Sequence, residues 1–332
     1  MGILLVMFLS FVPMLLYALL LWWLDRYEKE PLYLLAFAFL WGAIPAIILS
    51  LLLEVLLDIP ILAVSNSALT YDLLGSSFSA PLVEEGVKAL AVLGLFLFFR
   101  REIDSPLDGL IYGGMTGFGF AAVENFFYLL GAYESGGMAG TLSLTFFRAG
   151  LFGLNHAMYT GFTGLGLALV LETRRTWLKF LLPPLGLALA IGTHAYHNTF
   201  TTFWGHLEGS ASFVTALIGD WVTTLFLLFV IIWAKSLERQ RIRVFLEGYV
   251  VTHHLPPAEI GLLTSPWQRQ KARLRALFKG DVGRWWRLGR YFQVVSEAAF
   301  SRHRAGQGDA KSAAKLAKLE QKLQLVRQTL TP

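Results

Sequence analysis

The chain has 332 residues, 55% of them hydrophobic, a mean hydropathy of +0.55 and a formal charge of +5. Several apolar runs near the length of a bilayer span exclude an ordinary soluble domain and mark a polytopic, all-α membrane helix bundle. With no cysteine, disulfides, thiolate nucleophiles and cysteine-based metal sites are excluded, which leaves histidine and carboxylates as ligands or catalysts.

In chain order, hydropathy predicts seven spans, at residues 3–23, 32–53, 81–99, 107–130, 146–171, 180–201 and 212–234. The first ends in Trp22-Trp23 before "DRYEKE" and lacks the basic n-region and A-x-A site of a signal peptide, so it is read as a span. Arg26 and Lys29 follow span 1, and Arg100 and Arg101 follow span 3. Arg174, Arg175 and Lys179 follow span 5, and Lys235, Arg239, Arg241 and Arg243 follow span 7. The loops after spans 2, 4 and 6 hold no Lys or Arg. Because basic loops stay cytoplasmic, the expected topology has the N-terminus outside and the C-terminus in the cytoplasm. Residues 1–235 form the expected membrane domain and 236–332 a small, basic, mostly helical cytoplasmic tail. Residues 235–332 carry 19 Lys+Arg against 7 Asp+Glu, whereas residues 1–234 carry 9 against 16.

Local signals start and pack these helices. Ser105, Pro106 and Asp108 read as cap, first-turn proline and third-position acid of span 4. Gly109, Gly113 and Gly117 repeat at four-residue spacing, which predicts close approach of a neighbouring helix. Pro183 and Pro184 are expected to kink span 6. No internal repeat is visible, which argues against a transporter built from inverted halves.

Span 3 opens with two adjacent acids, Glu84 and Glu85, each costly to insert into lipid. Other polar groups sit at matching depth: Glu124 and Asn125 in span 4, Asn155 and His156 in span 5, His194, His197 and Asn198 in span 6. At 1.5 Å per residue, Glu84, Glu124 and His194 lie about 5, 9 and 11 Å inside the outer ends of their spans. His156 joins that layer if span 5 proper begins near Leu151 and the segment around Arg148 lies along the interface. Lys88 is i+4 from Glu84 and i+3 from Glu85, so it is expected to neutralise one of them and leave the other free to react. His197 is set aside because His194 fills the role. His206, His253, His254 and His303 fall in loops or tail, where solvated rings are expected.

Carboxylates and imidazoles gathered in a wet membrane cavity suit activation of water for hydrolysis, with a metal or hydrogen-bond donors holding the developing oxyanion. A His-His-Glu set binds zinc and leaves a position for water, although the H-E-x-x-H motif is absent. The same residues would also serve a proton relay in a proton-coupled transporter.

"EEGVK" (residues 84–88) matches EExxK, "FAAVEN" (120–125) matches FxxxEN, His156 supplies a lone histidine, and "HAYHN" (194–198) matches HxxxN. In that order on successive spans, over about residues 1–235, the chain resembles the PrsW family of intramembrane proteases. That family is similar to type II CAAX prenyl proteases and to the APH subunit of gamma-secretase, so a non-catalytic APH-like scaffold is a further alternative. The resemblance implies an endopeptidase of the bacterial plasma membrane that faces the extracytoplasmic side, is described as a metalloprotease and cuts membrane-anchored proteins, anti-sigma factors being the known type. It also implies roles: Glu84 or Glu85 as general base with Lys88 orienting the other. Glu124, His156 and His194 would hold a metal such as zinc, or the activated water, and Asn125 and Asn198 would donate to the oxyanion or the substrate backbone.

The tail mixes basic and aromatic residues in "WQRQKARLRALFKGDVGRWWRLGRYF" (267–292). It is read as a small helical domain with a solvated basic surface or as a unit docking on the anionic inner leaflet. No nucleic-acid reader motif is present, and no nucleic-acid partner is expected.

Overall fold

The structure, a computed structural model, describes residues 2–100, 102–103, 105–207, 210–253 and 256–330, with the side chains of 251–253, 257 and 258 left aside. Arg101, His254 and the side chain of His253 therefore lie outside the described residues. The described residues are helical or irregular, without a strand. The chain forms two compact units, Met1–Leu24 with Glu30–Ile231, and Asp25–Lys29 with Ile232–Pro332.

The first unit contains α1 (Gly2–Leu24), α2 (Leu32–Trp41), α3 (Ile47–Val64), α4 (Ala68–Asp72), α5 (Ala80–Phe98), α6 (Pro106–Thr145), α7 (Asn155–Glu172), α8 (Thr176–Leu207) and the first part of α9 (Ser210–His253). π-helical turns lie between α2 and α3 (Gly42–Ala46), between α4 and α5 (Leu73–Ser79) and after α6 (Phe146–Leu151). Four stretches are long and apolar enough to cross a membrane: Gly2–Leu24, Leu32–Val64, Thr176–Leu207 and Ser210–Val250.

The spans expected at 81–99, 107–130 and 146–171 fall on α5, α6 and α7, and packing explains the more polar composition of α6 and α7. Every residue of α6 from 106 to 122, and every residue of α7 from 158 to 168, is buried by protein. A helix enclosed on all sides has no lipid-facing surface to keep greasy. The outer helices do the reverse, exposing Leu4, Phe8, Ile59 and Leu62 among many. The expected span at 146–171 is shorter than predicted: its start is the π turn Phe146–Leu151, after which an irregular stretch precedes Asn155. Pro183 and Pro184 lie inside α8, which continues to Leu207.

α6 begins with the cap read from sequence. Ser105 Oγ accepts from the amides of Leu107 and Asp108, and Asp108 Oδ2 accepts from the Ser105 amide at 2.6 Å. Gly109, Gly113 and Gly117 then face the backbone of α7 so closely that a Cβ on any of them would collide with the carbonyl oxygen of Gly164, Thr160 or His156 respectively. The four-residue glycine ladder therefore sets how near His156 comes to α6.

The second unit packs the end of α9 with α10 (Pro257–Thr264), α11 (Pro266–Phe278), α12 (Val282–Gly306) and α13 (Ala310–Gln328). Its core includes Tyr27, Ile242, Leu246, Val295, Ala298 and Leu323. Inside it Arg269 donates to the Leu263 carbonyl at 2.7 Å and to Ser296 Oγ at 2.9 Å.

Candidate active site

Within the first unit a cavity of about 1150 Å³ is lined by Glu84, Glu124, Asn125, His156, His194 and Asn198 together with other residues of α3–α8. Glu85 and Lys88 stand directly behind this wall, with side chains fully shielded from solvent. All the residues that carry the sequence resemblance thus converge, from α5, α6, α7 and α8.

Lys88 is the hub. Its Nζ donates to Glu85 Oε1 at 2.7 Å, to Glu84 Oε2 at 3.1 Å and to His156 Nδ1 at 3.2 Å, and it lies 3.8 Å from the centre of the Phe120 ring. The expectation that Lys88 would neutralise one acid and free the other is therefore corrected: one turn of helix brings both carboxylates within reach of the same ammonium. The two acids differ in what else they touch. Glu85 also accepts from Thr160 Oγ1 at 2.9 Å and from His194 Nδ1 at 3.2 Å, so both its oxygens are engaged. Glu84 has Lys88 as its hydrogen-bonding side-chain partner and lines the cavity.

These partners also fix the imidazoles. An ammonium can only donate, so His156 Nδ1 accepts, and its Nε2–H points to Glu124 Oε2 at 2.8 Å. A carboxylate can only accept, so His194 donates from Nδ1 and keeps the lone pair on Nε2. Tyr159 stacks on His194 with ring centres 4.6 Å apart, and the two histidine rings meet edge-on at 5.2 Å.

The rim holds residues that the sequence reading undervalued. Arg148, on the π turn after α6, bonds Glu124 and donates from Nε to Asn125 Oδ1 at 2.7 Å, with its guanidinium 3.9 Å from the Tyr128 ring centre. Glu124 is thus held by one cation and one imidazole, and Asn125 is an acceptor here. Asn198 Nδ2 donates to the Ser76 carbonyl at 2.7 Å. His197, set aside above, donates from Nδ1 to the buried Asp220 at 2.6 Å, and Asn155 Nδ2 donates to the same carboxylate at 3.0 Å. Asp220 stands alone in the run "ALIGDWVTTLFLLFV", and an acid in such a run is the signal that would have found it. His206 pairs with Asp72 at 2.6 Å at the cavity edge.

The donor chemistry fits a divalent metal. One atom each from Glu84, Glu85, His156 and His194 falls within 4.8 Å of the others, two carboxylate oxygens and two imidazole nitrogens. Glu124 lies outside that set and contacts it through His156 Nε2, the orientation by which a carboxylate commonly tunes a ligating histidine. Three carboxylates, Glu84, Glu85 and Glu124, are bonded to two permanent cations, Lys88 and Arg148. One negative charge is left for a bound cation or a proton to balance.

A family model described as PrsW family intramembrane metalloprotease matches residues 30–250. Among curated proteins, Protease PrsW of Geobacillus kaustophilus (strain HTA426) is 32% identical over 169 residues, 48% of this chain and 66% of that protein. Protease PrsW of Clostridioides difficile (strain 630) is 39% identical over 105 residues, 32% of this chain and 42% of that protein. Protease PrsW of Bacillus subtilis (strain 168) is 28% identical over 112 residues, 32% of this chain and 45% of that protein. The matched segments span less than two thirds of each relative. No solved structure matches the chain. The family match covers more than half of the sequence and includes every residue of the clustered site, and the chain belongs to the PrsW family of intramembrane metalloproteases.

Proposed function

We propose that the chain is an intramembrane endopeptidase that hydrolyses a peptide bond of membrane-anchored proteins, with Glu84 as the base that activates water. The carrying observation is the contrast between adjacent acids: Glu84 lines the cavity, while Glu85 is sealed behind it by Lys88, Thr160 and His194. In this reading Glu84 takes a proton as the water oxygen attacks the scissile carbonyl carbon. Arg148 presents positive charge to the cavity where negative charge grows on the carbonyl oxygen. When the carbon–nitrogen bond breaks, the leaving amine takes the proton back from Glu84. Lys88 and Glu85 hold the base and His194 in place. His194 Nε2, His156 Nδ1 once Lys88 has released it, and a carboxylate of the Glu84–Glu85 pair would hold a zinc ion, which when bound would polarise the carbonyl and acidify water. Asn125 and Asn198, bonded to Arg148 and the Ser76 carbonyl, would have to exchange those partners to reach substrate.

The loop charges add a side to this reading. With the N-terminus outside, the cavity opens toward the extracytoplasmic face, where a substrate helix unwinds without stranding backbone groups in the lipid core. Residues 1–235 would be the protease and 236–332 a cytoplasmic tail.

N-terminal mass spectrometry of membranes expressing the wild type, Glu84→Gln or Glu85→Gln tests the proposal. New substrate termini at the outer end of spanning segments are expected with the wild type and not with Glu84→Gln, whose thermal unfolding should match the wild type. Glu85→Gln should lower both cleavage and thermal stability, because it cuts into three hydrogen bonds. Full cleavage by Glu84→Gln would refute the base assignment, and termini on the cytoplasmic side would refute the orientation. Cleavage in detergent without a proton gradient separates this function from transport, and catalysis separates it from a scaffold.

A further inference from the structure

The basic and aromatic stretch at 267–292 lies beyond the family match and has no part in the proposed catalysis. Its placement in the second unit gives it a surface. On α11, Arg269 and Ala276 turn into the core. Trp267, Lys271, Leu274 and Phe278, spaced by four, three and four residues, form a single exposed stripe on the opposite side. Trp267 is 72% and Phe278 86% exposed, although rings of this size are ordinarily hidden in a soluble domain.

The start of α12 continues the pattern across the turn at 279–281. Val282 and Trp286 are exposed, and the Arg290 guanidinium sits 5.4 Å from the Trp286 ring centre. Residues 266–290 contain eight Lys or Arg and one acid, Asp281. That acid is occupied as the α12 cap, accepting from the Arg284 amide at 2.7 Å. Lys271, Arg275 and Lys279 are exposed and form no ion pair among the described residues.

We propose that this face of α11 and α12 docks on the anionic phospholipid headgroups of the membrane the chain spans. Tryptophan and phenylalanine on a helix surface partition to the headgroup level, and unpaired Lys and Arg are drawn to anionic lipid. The phosphate backbone of a duplex would leave Leu274, Phe278 and Val282 uncovered as a set, whereas lipid at the headgroup level can bury all three beside the basic residues. Covalent connection to the apolar part of α9 keeps the face at high effective concentration near lipid, so weak affinity suffices.

The absence of cysteine makes the test clean. The full chain carrying Phe278→Cys, labelled with an environment-sensitive fluorophore, is placed in nanodiscs of phosphatidylcholine alone or mixed with phosphatidylglycerol. The emission should shift to the blue in the anionic discs. High salt should abolish the shift, and so should combined Lys271→Gln, Arg275→Gln and Lys279→Gln. A label at Gln293→Cys, exposed on the α12 stripe, should report the same shift if loss of Phe278 itself weakens docking. One at Lys318→Cys on α13 should not move. Equal emission from both stripe labels in the two kinds of disc would overturn the proposal. So would a shift produced by duplex DNA but not by phosphatidylglycerol.

Discussion

Lys88 in the first unit and Arg269 in the second are both cations shut away from water, yet their surroundings differ in kind. Lys88 is bonded to two carboxylates and an imidazole, groups that themselves gain and lose protons. Arg269 is bonded to backbone carbonyls and a serine hydroxyl and lies 5.1 Å from the Tyr27 ring centre and 5.4 Å from that of Phe292. None of these groups exchanges a proton near neutral pH, and burial pushes the guanidinium down to about 10, where it still stays charged at neutral pH. The difference teaches how to separate a working buried charge from a structural one: the kind of partner tells more than the depth.

Removing Lys88 should have the largest effect. Lys88→Met leaves Glu84 and Glu85 without their shared counter-charge, and breaking a buried pair costs about 3–5 kcal/mol. Thermal unfolding in detergent should show a strongly lowered midpoint, partly restored in Lys88→Met combined with Glu85→Gln because one of the stranded charges is then gone. No restoration would mean that Lys88 acts through packing rather than charge. Arg269→Met should cost less, about 1–3 kcal/mol, since it strands neutral acceptors. Limited proteolysis should then cut residues 232–332 faster while the first unit keeps its resistance; equal loss in both units would contradict the reading.

The smallest effect belongs to an exposed acid held chiefly by neutral hydrogen-bond donors. Asp309 caps α13: the Ser312 hydroxyl at 2.7 Å and the Lys311 amide at 3.0 Å hold its carboxyl below the ordinary aspartate range. A depressed folded pKa means that the bonus is fully present above the unfolded value of about 3.9 and fades as pH falls through the folded one. Asp309→Asn should keep most of the cap and flatten that acid dependence, and Asp309→Ala should lose the cap at every pH. Helicity of α13 followed by circular dichroism between pH 2 and 6 would show a change in the wild type that is missing in Asp309→Asn.

Much of this was legible before any coordinates. Ser105, Pro106 and Asp108 signalled the α6 cap because capping is a local rule, and Gly109, Gly113 and Gly117 signalled close packing because spacing alone puts them on one face. The clustering of Glu84, Glu124, His156 and His194 followed from depth. What sequence could not supply was pairing. Nothing in the order of residues says that Lys88 reaches both glutamates, that Arg148 folds back from its π turn onto Glu124, or that Asp220 claims His197. Each is decided by side chains from different helices meeting in three dimensions. Hydropathy could place the start of span 5 only loosely, near 146 or near Leu151, because it averages over Gly150 in the π turn and Gly153 in the irregular stretch before Asn155.

The π turn Leu73–Ser79 holds more than a connection between α4 and α5. A π turn accommodates one residue more than an α turn, so it acts as a phase offset between the helix before it and the helix after it. Deleting one residue there would close the α register and rotate α4 by about 100° relative to Glu84. Asp72, which pairs with His206, would swing away, and the Ser76 carbonyl that receives Asn198 would be reset. A single codon in this segment therefore tunes the angular setting of the cavity wall while leaving the acids of α5 where they are.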